Sequence, residues 1–155
     1  MIINDSIIRK IFAWPPIYSL KEYNSDFFLE LADLFGIDVD PDWKMSDVIL
    51  KTLHSYPGKA LRKVFFHCET PHDIHYYSCY TEEIYILCIV LGLGEQPNKV
   101  IASKLLSEHI NKIRNGFQVE LKPLRNQNLI NRLDRIYYGK KIQVRPKRKG
   151  ELLPS

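Results

Sequence analysis

Most of the signatures that announce an enzyme are missing from this chain. It has no glycine-rich phosphate loop, no nucleophile elbow and no HExxH pair of histidines one helical turn apart. Long apolar stretches are missing too. The longest, residues 84–93, is about half the roughly 20 residues that a membrane-crossing helix needs. Cysteine is scarce: Cys68, Cys79 and Cys88 are an odd set that no intrachain disulfide framework can use in full. The amino terminus, MIINDSIIRKIFAWPP, scatters charges among its apolar residues and offers no small-residue cleavage site, unlike a signal peptide. Repeats and low-complexity tracts are absent as well. These absences predict a soluble, reduced, cytoplasmic protein with no membrane partner.

What is present suffices for one domain. At 155 residues, with 45% hydrophobic and 26% charged, a chain buries roughly 70% of its unfolded surface without disulfide or metal staples. The net charge of +4 conceals a division along the chain. Residues 1–96 hold 8 Lys and Arg against 14 Asp and Glu, and residues 97–155 hold 14 against 4. One end therefore suits a polyanion, or each half suits a different partner.

Apolar periodicity predicts helices throughout. Asn4 or Asp5 caps a short helix that Pro15-Pro16 must end. Ser19 with Glu22 has capping-box spacing, Ser25 offers a second cap, and Phe27, Phe28, Leu31, Leu34 and Phe35 recur at helical spacing before Gly36. Asp38, Asp40 and Asp42 alternate like a calcium loop. Pro41, the missing glycine and Ile49 at the closing position instead point to an acidic turn before a helix. That helix is expected to start at Ser46 and run to about Tyr56, with Pro57-Gly58 breaking the chain before KALRKVFFHC. Thr70-Pro71-His72-Asp73 is the strongest local signal: an N-cap, a proline at the first helical position and an acid at the third. It is expected to open a helix running into the apolar segment ended by Gly92 and Gly94, although Thr81-Glu82-Glu83 offers another start after a break near Ser78. A helix from about Pro97 to Gly116, a short extended FQVEL and a last helix from about Arg125 to Tyr138 complete the domain. Ile142 and Val144 suggest a short strand in the tail. The fold class is all-α: a single compact bundle of about six helices over residues 1–139, with a basic extended tail over 140–155.

Two constellations are candidates for chemistry, and the first is expected to be mainly a helix start with no cofactor, a metal site being its alternative. In HCETPHDIHYYSC, His67, Cys68, His72, His75 and Cys79 fall within thirteen positions, and zinc is the cofactor such a set would hold. A continuous helix spaces His72 and Cys79 about 10.5 Å apart along its axis. Such a helix supplies two ligands at most, His72 with His75 or His75 with Cys79, and His67 or Cys68 completes the site. His72-Asp73 resembles the doublet of HD-domain phosphohydrolases, which are helical, metal-dependent enzymes. The resemblance implies a further His and Asp, for which His54 or His67 and Asp134 are available. Arg62 and His67 resemble the R-x4-H motif of HEPN ribonucleases, also helical, with Lys63 where that family carries a polar, often amide-bearing residue.

The second constellation is basic. Arg125, Arg132 and Arg135 fall on one stripe of the last expected helix, with Asn128 between them. Lys140, Lys141, Arg145, Lys147, Arg148 and Lys149 follow with no acid before Glu151. Cations on a helix and an adjoining tail are what phosphate-backbone contact requires. The expectation is a non-enzymatic protein that binds nucleic acid or a nucleoprotein assembly. The alternatives are an inhibitor or immunity-type protein that occludes a protein partner, and a metal-dependent hydrolase or ribonuclease centred on residues 67–79.

Overall fold

A computed structural model describes residues 1–13, 23–78 and 80–139, with backbone alone at Tyr77 and Ser78. The pairing of Ser19 with Glu22, the stop at Pro15-Pro16 and the tail strand at Ile142 and Val144 lie outside these residues. The chain divides into two compact units, Met1–Arg125 and a second beginning at Asn126. Each is described by itself. The all-α expectation holds: the described residues form eight α-helical segments, two π-helical turns and a single two-stranded ribbon.

In the first unit, β1 (Ile2–Ile3) leads into α1 (Asp5–Ile11), whose N-cap Asn4 accepts the Ile7 N–H at 2.9 Å. Helix α2 (Ser25–Leu34) is capped by Asn24 rather than Ser25: the Asn24 side chain accepts the Phe27 N–H at 3.0 Å. The acidic turn forms as expected, with Asp40 Oδ1 accepting the Asp42 N–H at 2.8 Å.

Helix α3 (Met45–Leu53) begins and ends earlier than its periodicity suggests. Asp47 sits at its third position and reaches back to the Lys44 N–H at 3.1 Å, which fixes the start ahead of Ser46. Pro57 and Gly58 do not break the chain. They occupy the first turn of α4 (Tyr56–His67), for which Ser55 is the N-cap. Proline is tolerated there because its missing N–H has no intrahelical partner to lose. Glycine is required for another reason: a Cβ at position 58 would lie 2.6 Å from the carbonyl oxygens of both Thr52 and Leu53. The Ser55 hydroxyl closes the corner, donating to Thr52 O at 2.6 Å and accepting the Gly58 N–H at 3.2 Å.

The Thr70 cap forms as its sequence predicts. Thr70 Oγ1 accepts the Asp73 N–H at 3.2 Å, and Asp73 Oδ2 accepts the N–H groups of Thr70 and Glu69 at 3.2 and 2.9 Å. The continuous helix expected beyond it does not form. A single turn, α5 (Pro71–Asp73), widens into a π-helical turn over Ile74–Ser78, and a new helix, α6 (Thr81–Val90), starts after Tyr80. Glu83 makes this second start, its carboxylate accepting the Tyr80 N–H at 3.1 Å.

Helix α6 packs against α4 and against α7 (Lys99–Arg114), and Ile84, Ile86, Leu87, Cys88 and Val90 are fully buried. Burial pushes the Cys88 thiol up to about 12, so it stays protonated and behaves as a small apolar group. Gly92, at φ +83°, turns the chain out of α6 while the Leu93 N–H closes on Cys88 O at 2.8 Å. The extended FQVEL segment becomes β2 (Val119–Glu120), antiparallel to β1 with Ile3 opposite Val119.

In the second unit, Asn126 caps α8 (Gln127–Asp134), which passes into a π-helical turn over Arg135–Gly139. Leu129 and Leu133 are its buried positions.

In most helices Gly→Ala stabilises by up to about 1 kcal/mol. Gly58→Ala is expected to do the reverse, lowering the unfolding free energy by about 1–3 kcal/mol through the clash with two backbone carbonyls. Urea denaturation of the two proteins measures the sign directly.

Candidate functional site

The four candidate metal ligands among the described residues, His67, Cys68, His72 and His75, do not gather as a metal-holding group. His67 is exposed at the end of α4, and Cys68 is 2% exposed beside it. The carbonyl of Cys68 is bound by Arg114 at 2.6 Å. His72 of α5 and His75 of the π-helical turn both stand against the exposed Tyr76 ring, at 4.4 and 4.8 Å between centroids. Cys79 lies outside the described residues. Among those described, no three His, Cys, Asp or Glu side chains are grouped to hold a metal. The break after Ser78 removes the continuous helix on which the ligand stripe depended. Asp73 is engaged as a helix cap, accepting two backbone N–H groups that hold its carboxyl below the usual carboxylate range.

The basic stripe is rearranged at its first member. Arg125 precedes α8, because Asn126 is the cap, and so leaves the helical face it was expected to share. Its guanidinium donates to Asp33 O at 2.9 Å, to Leu124 O at 3.2 Å and to Asp33 Oδ2 at 3.1 Å. Arg125 thus closes the carboxyl end of α2, where exposed carbonyls attract cations. Arg132 and Arg135 remain exposed on the second unit. With Asn128, Asn131 and Asp134 they line an open cleft of about 520 Å3. Lys140, Lys141, Arg145, Lys147, Arg148 and Lys149 lie outside the described residues.

The first unit carries a cleft of about 550 Å3, lined by Ala13, His54, Arg62, Phe66 and His67. The local sequence explains the gathering. Arg62 and Phe66 are four residues apart on α4 and share a face. His67 is the last residue of that helix. His54 is the C-cap of α3, and the tight Ser55–Gly58 corner returns the chain beside it. The pairing of Arg62 with His67 was legible from their spacing. The addition of His54 was not, because it depends on the corner that Gly58 permits. The His54 pKa is lowered, first by partial desolvation of its ring and then by the positive charges of Arg62 and Lys59.

Arg114 is a cation the sequence did not single out. Its guanidinium reaches from α7 to the carbonyls of Val64, Phe65 and Cys68 at 3.2, 2.6 and 2.6 Å, and to Asn111 Oδ1 at 2.8 Å. It also stands 5.3 Å from the Phe65 ring centroid, where Arg9 of α1 approaches at 5.1 Å. Desolvation lowers its pKa from that of a free guanidinium. No signal in the sequence marks this contact, because the partners are backbone carbonyls 46 to 50 residues away.

No helix among the described residues is long and apolar enough to cross a membrane. No protein-family model matches the chain, and no curated protein or solved structure matches it.

Two histidines have lowered pKa values. His54 is one; the other is His109 of α7, half-buried, with Nε2 3.1 Å from Leu91 O and its pKa lowered mainly by desolvation. Folding therefore favours their neutral forms. Stability should be full above the ordinary histidine value, near 6.5. It should fall as the pH drops from there through the lower folded values, because the unfolded chain then binds protons the folded chain excludes. His109→Gln is expected to flatten that fall in denaturation midpoints measured from pH 7 to 5. Arg62→Gln is expected to move the His54 NMR titration midpoint upward.

Proposed function

We propose that the protein is a non-enzymatic nucleic-acid-binding protein that contacts phosphates through its basic carboxy-terminal third. The observation that supports the reading is the exposed pair Arg132 of α8 and Arg135 of the following π-helical turn, flanked by the amides of Asn128 and Asn131 along one open cleft. Guanidinium and amide donors in such a row match the acceptor-only surface of a phosphate backbone. Lys140, Lys141, Arg145, Lys147, Arg148 and Lys149 extend the same charge along the sequence. Asp134 interrupts the row and limits how closely two phosphates approach there. Arg125 is held by the end of α2 and contributes less in this reading.

Contacts of this kind position a protein on nucleic acid without reading bases. Binding should therefore be broad in sequence preference. Changing Lys147, Arg148 and Lys149 together to Glu is expected to weaken binding to a generic oligonucleotide at least about tenfold in a mobility-shift assay. The paired change of Arg132 and Arg135 to Glu should act in the same direction. Undiminished binding in both proteins would remove the basic third from the mechanism. Binding of a protein in place of any oligonucleotide would favour an occluding inhibitor.

A further inference from the structure

None of the described residues lining the α3–α4 cleft belongs to the basic third, and the cleft's chemistry points to a ligand of its own. Three side chains able to carry positive charge, His54, Arg62 and His67, line it, and Lys59 is close enough to act on His54. No acidic side chain is among the described residues that line it. The other described residues lining it are Phe66 and Ala13. Its volume of about 550 Å3 lies within the roughly 300–1,000 Å3 of small-molecule sites and far exceeds what one inorganic anion fills. Cations and an aromatic ring lining one cleft match a ligand that joins a phosphate to a flat ring.

We infer that the cleft lined by His54, Arg62, Phe66 and His67 binds a nucleotide, with the phosphate on Arg62 and the two histidines and the base on Phe66. The guanidinium offers paired N–H donors to two phosphate oxygens. Each imidazole adds one donor, and a second charge when protonated. Phe66 is half-buried and braced edge-on by Phe65, with ring centroids 5.1 Å apart, so one aromatic wall is held before the ligand arrives. An anion here opposes the charges of Arg62 and Lys59 at His54, so binding and protonation of His54 reinforce each other. This inference does not rest on the contacts proposed for the basic third.

The test follows His54 and His67 imidazole resonances by NMR while the full chain is titrated with adenosine 5′-monophosphate, the internal diester ApA, or inorganic phosphate. Saturable shifts of both histidines are expected with the monophosphate, at a lower concentration than with inorganic phosphate, and with His54 titrating at higher pH once bound. Response to ApA as well would assign the site to phosphodiesters of a nucleic-acid chain; response to the monophosphate alone would assign it to free or terminal phosphates. Arg62→Gln should abolish the shifts while its backbone amide spectrum stays folded, and Phe66→Leu should remove the advantage of the monophosphate over inorganic phosphate. The Lys147, Arg148 and Lys149 triple variant should bind as the parent does, so failure of the basic third leaves this result intact. Absence of saturable shifts with all three probes, or shifts that persist in Arg62→Gln, would overturn the inference.

Discussion

The fixing of α4 at both ends is the constraint on which the first unit depends. At its amino end Gly58 lets the helix backbone press onto the Thr52 and Leu53 carbonyls, a gap that no Cβ fits. At its carboxyl end Arg114 spans from α7 and takes up three carbonyls that the last turn and its exit expose. Between these points Ala60, Leu61, Val64 and Phe65 are buried, and α4 packs against α6. Arg62, Phe66 and His67 then line the cleft beside His54. Packing and site are two faces of one helix, and neither end can shift without moving both.

Arginine serves two kinds of work in this chain. Arg114 and Arg125 act as helix closures, their guanidinium forks spread over main-chain carbonyls at the ends of α4 and α2. Arg132 of α8 and Arg135 just beyond it stand exposed beside Asn128 and Asn131. Net charge does not distinguish the two. A closing arginine is already hydrogen-bonded within the protein and loses those bonds if it turns to a ligand. An exposed one exchanges water and counterions for phosphate, which is the origin of salt-dependent binding. The proposal for the basic third rests on the second kind.

Local signals were read well from the sequence and tertiary ones poorly. The Asn4 and Thr70 caps, the turn at Asp40 and the exit at Gly92 each depend on residues within a few positions. Pro57-Gly58 misled because a breaker pair in sequence is also a good first turn, and the carbonyls that demand glycine belong to the preceding helix. The helix expected through residues 74–80 was broken by Glu83, whose capping role competes with continuity and was visible as an alternative start. Strand β1 was missed because two residues carry no period, and its partner lies about 117 positions away in the sequence. Of the cleft, only the spacing of Arg62 and His67 was visible, since His54 joins through a corner rather than a helical repeat. The histidine and cysteine cluster is dense in sequence, yet its described members disperse: His67 to the cleft, Cys68 to the core, and His72 and His75 to the face of Tyr76.

The most direct measurement is the salt dependence of binding by the full chain to fluorescent oligonucleotides of unrelated sequence, followed by anisotropy from about 50 to 200 mM salt. If exposed cations of the basic third contact phosphates, log K falls linearly with log salt, with a slope of about −4 or steeper and similar for every sequence. A slope near zero, or discrimination beyond about a hundredfold between sequences, would contradict the account.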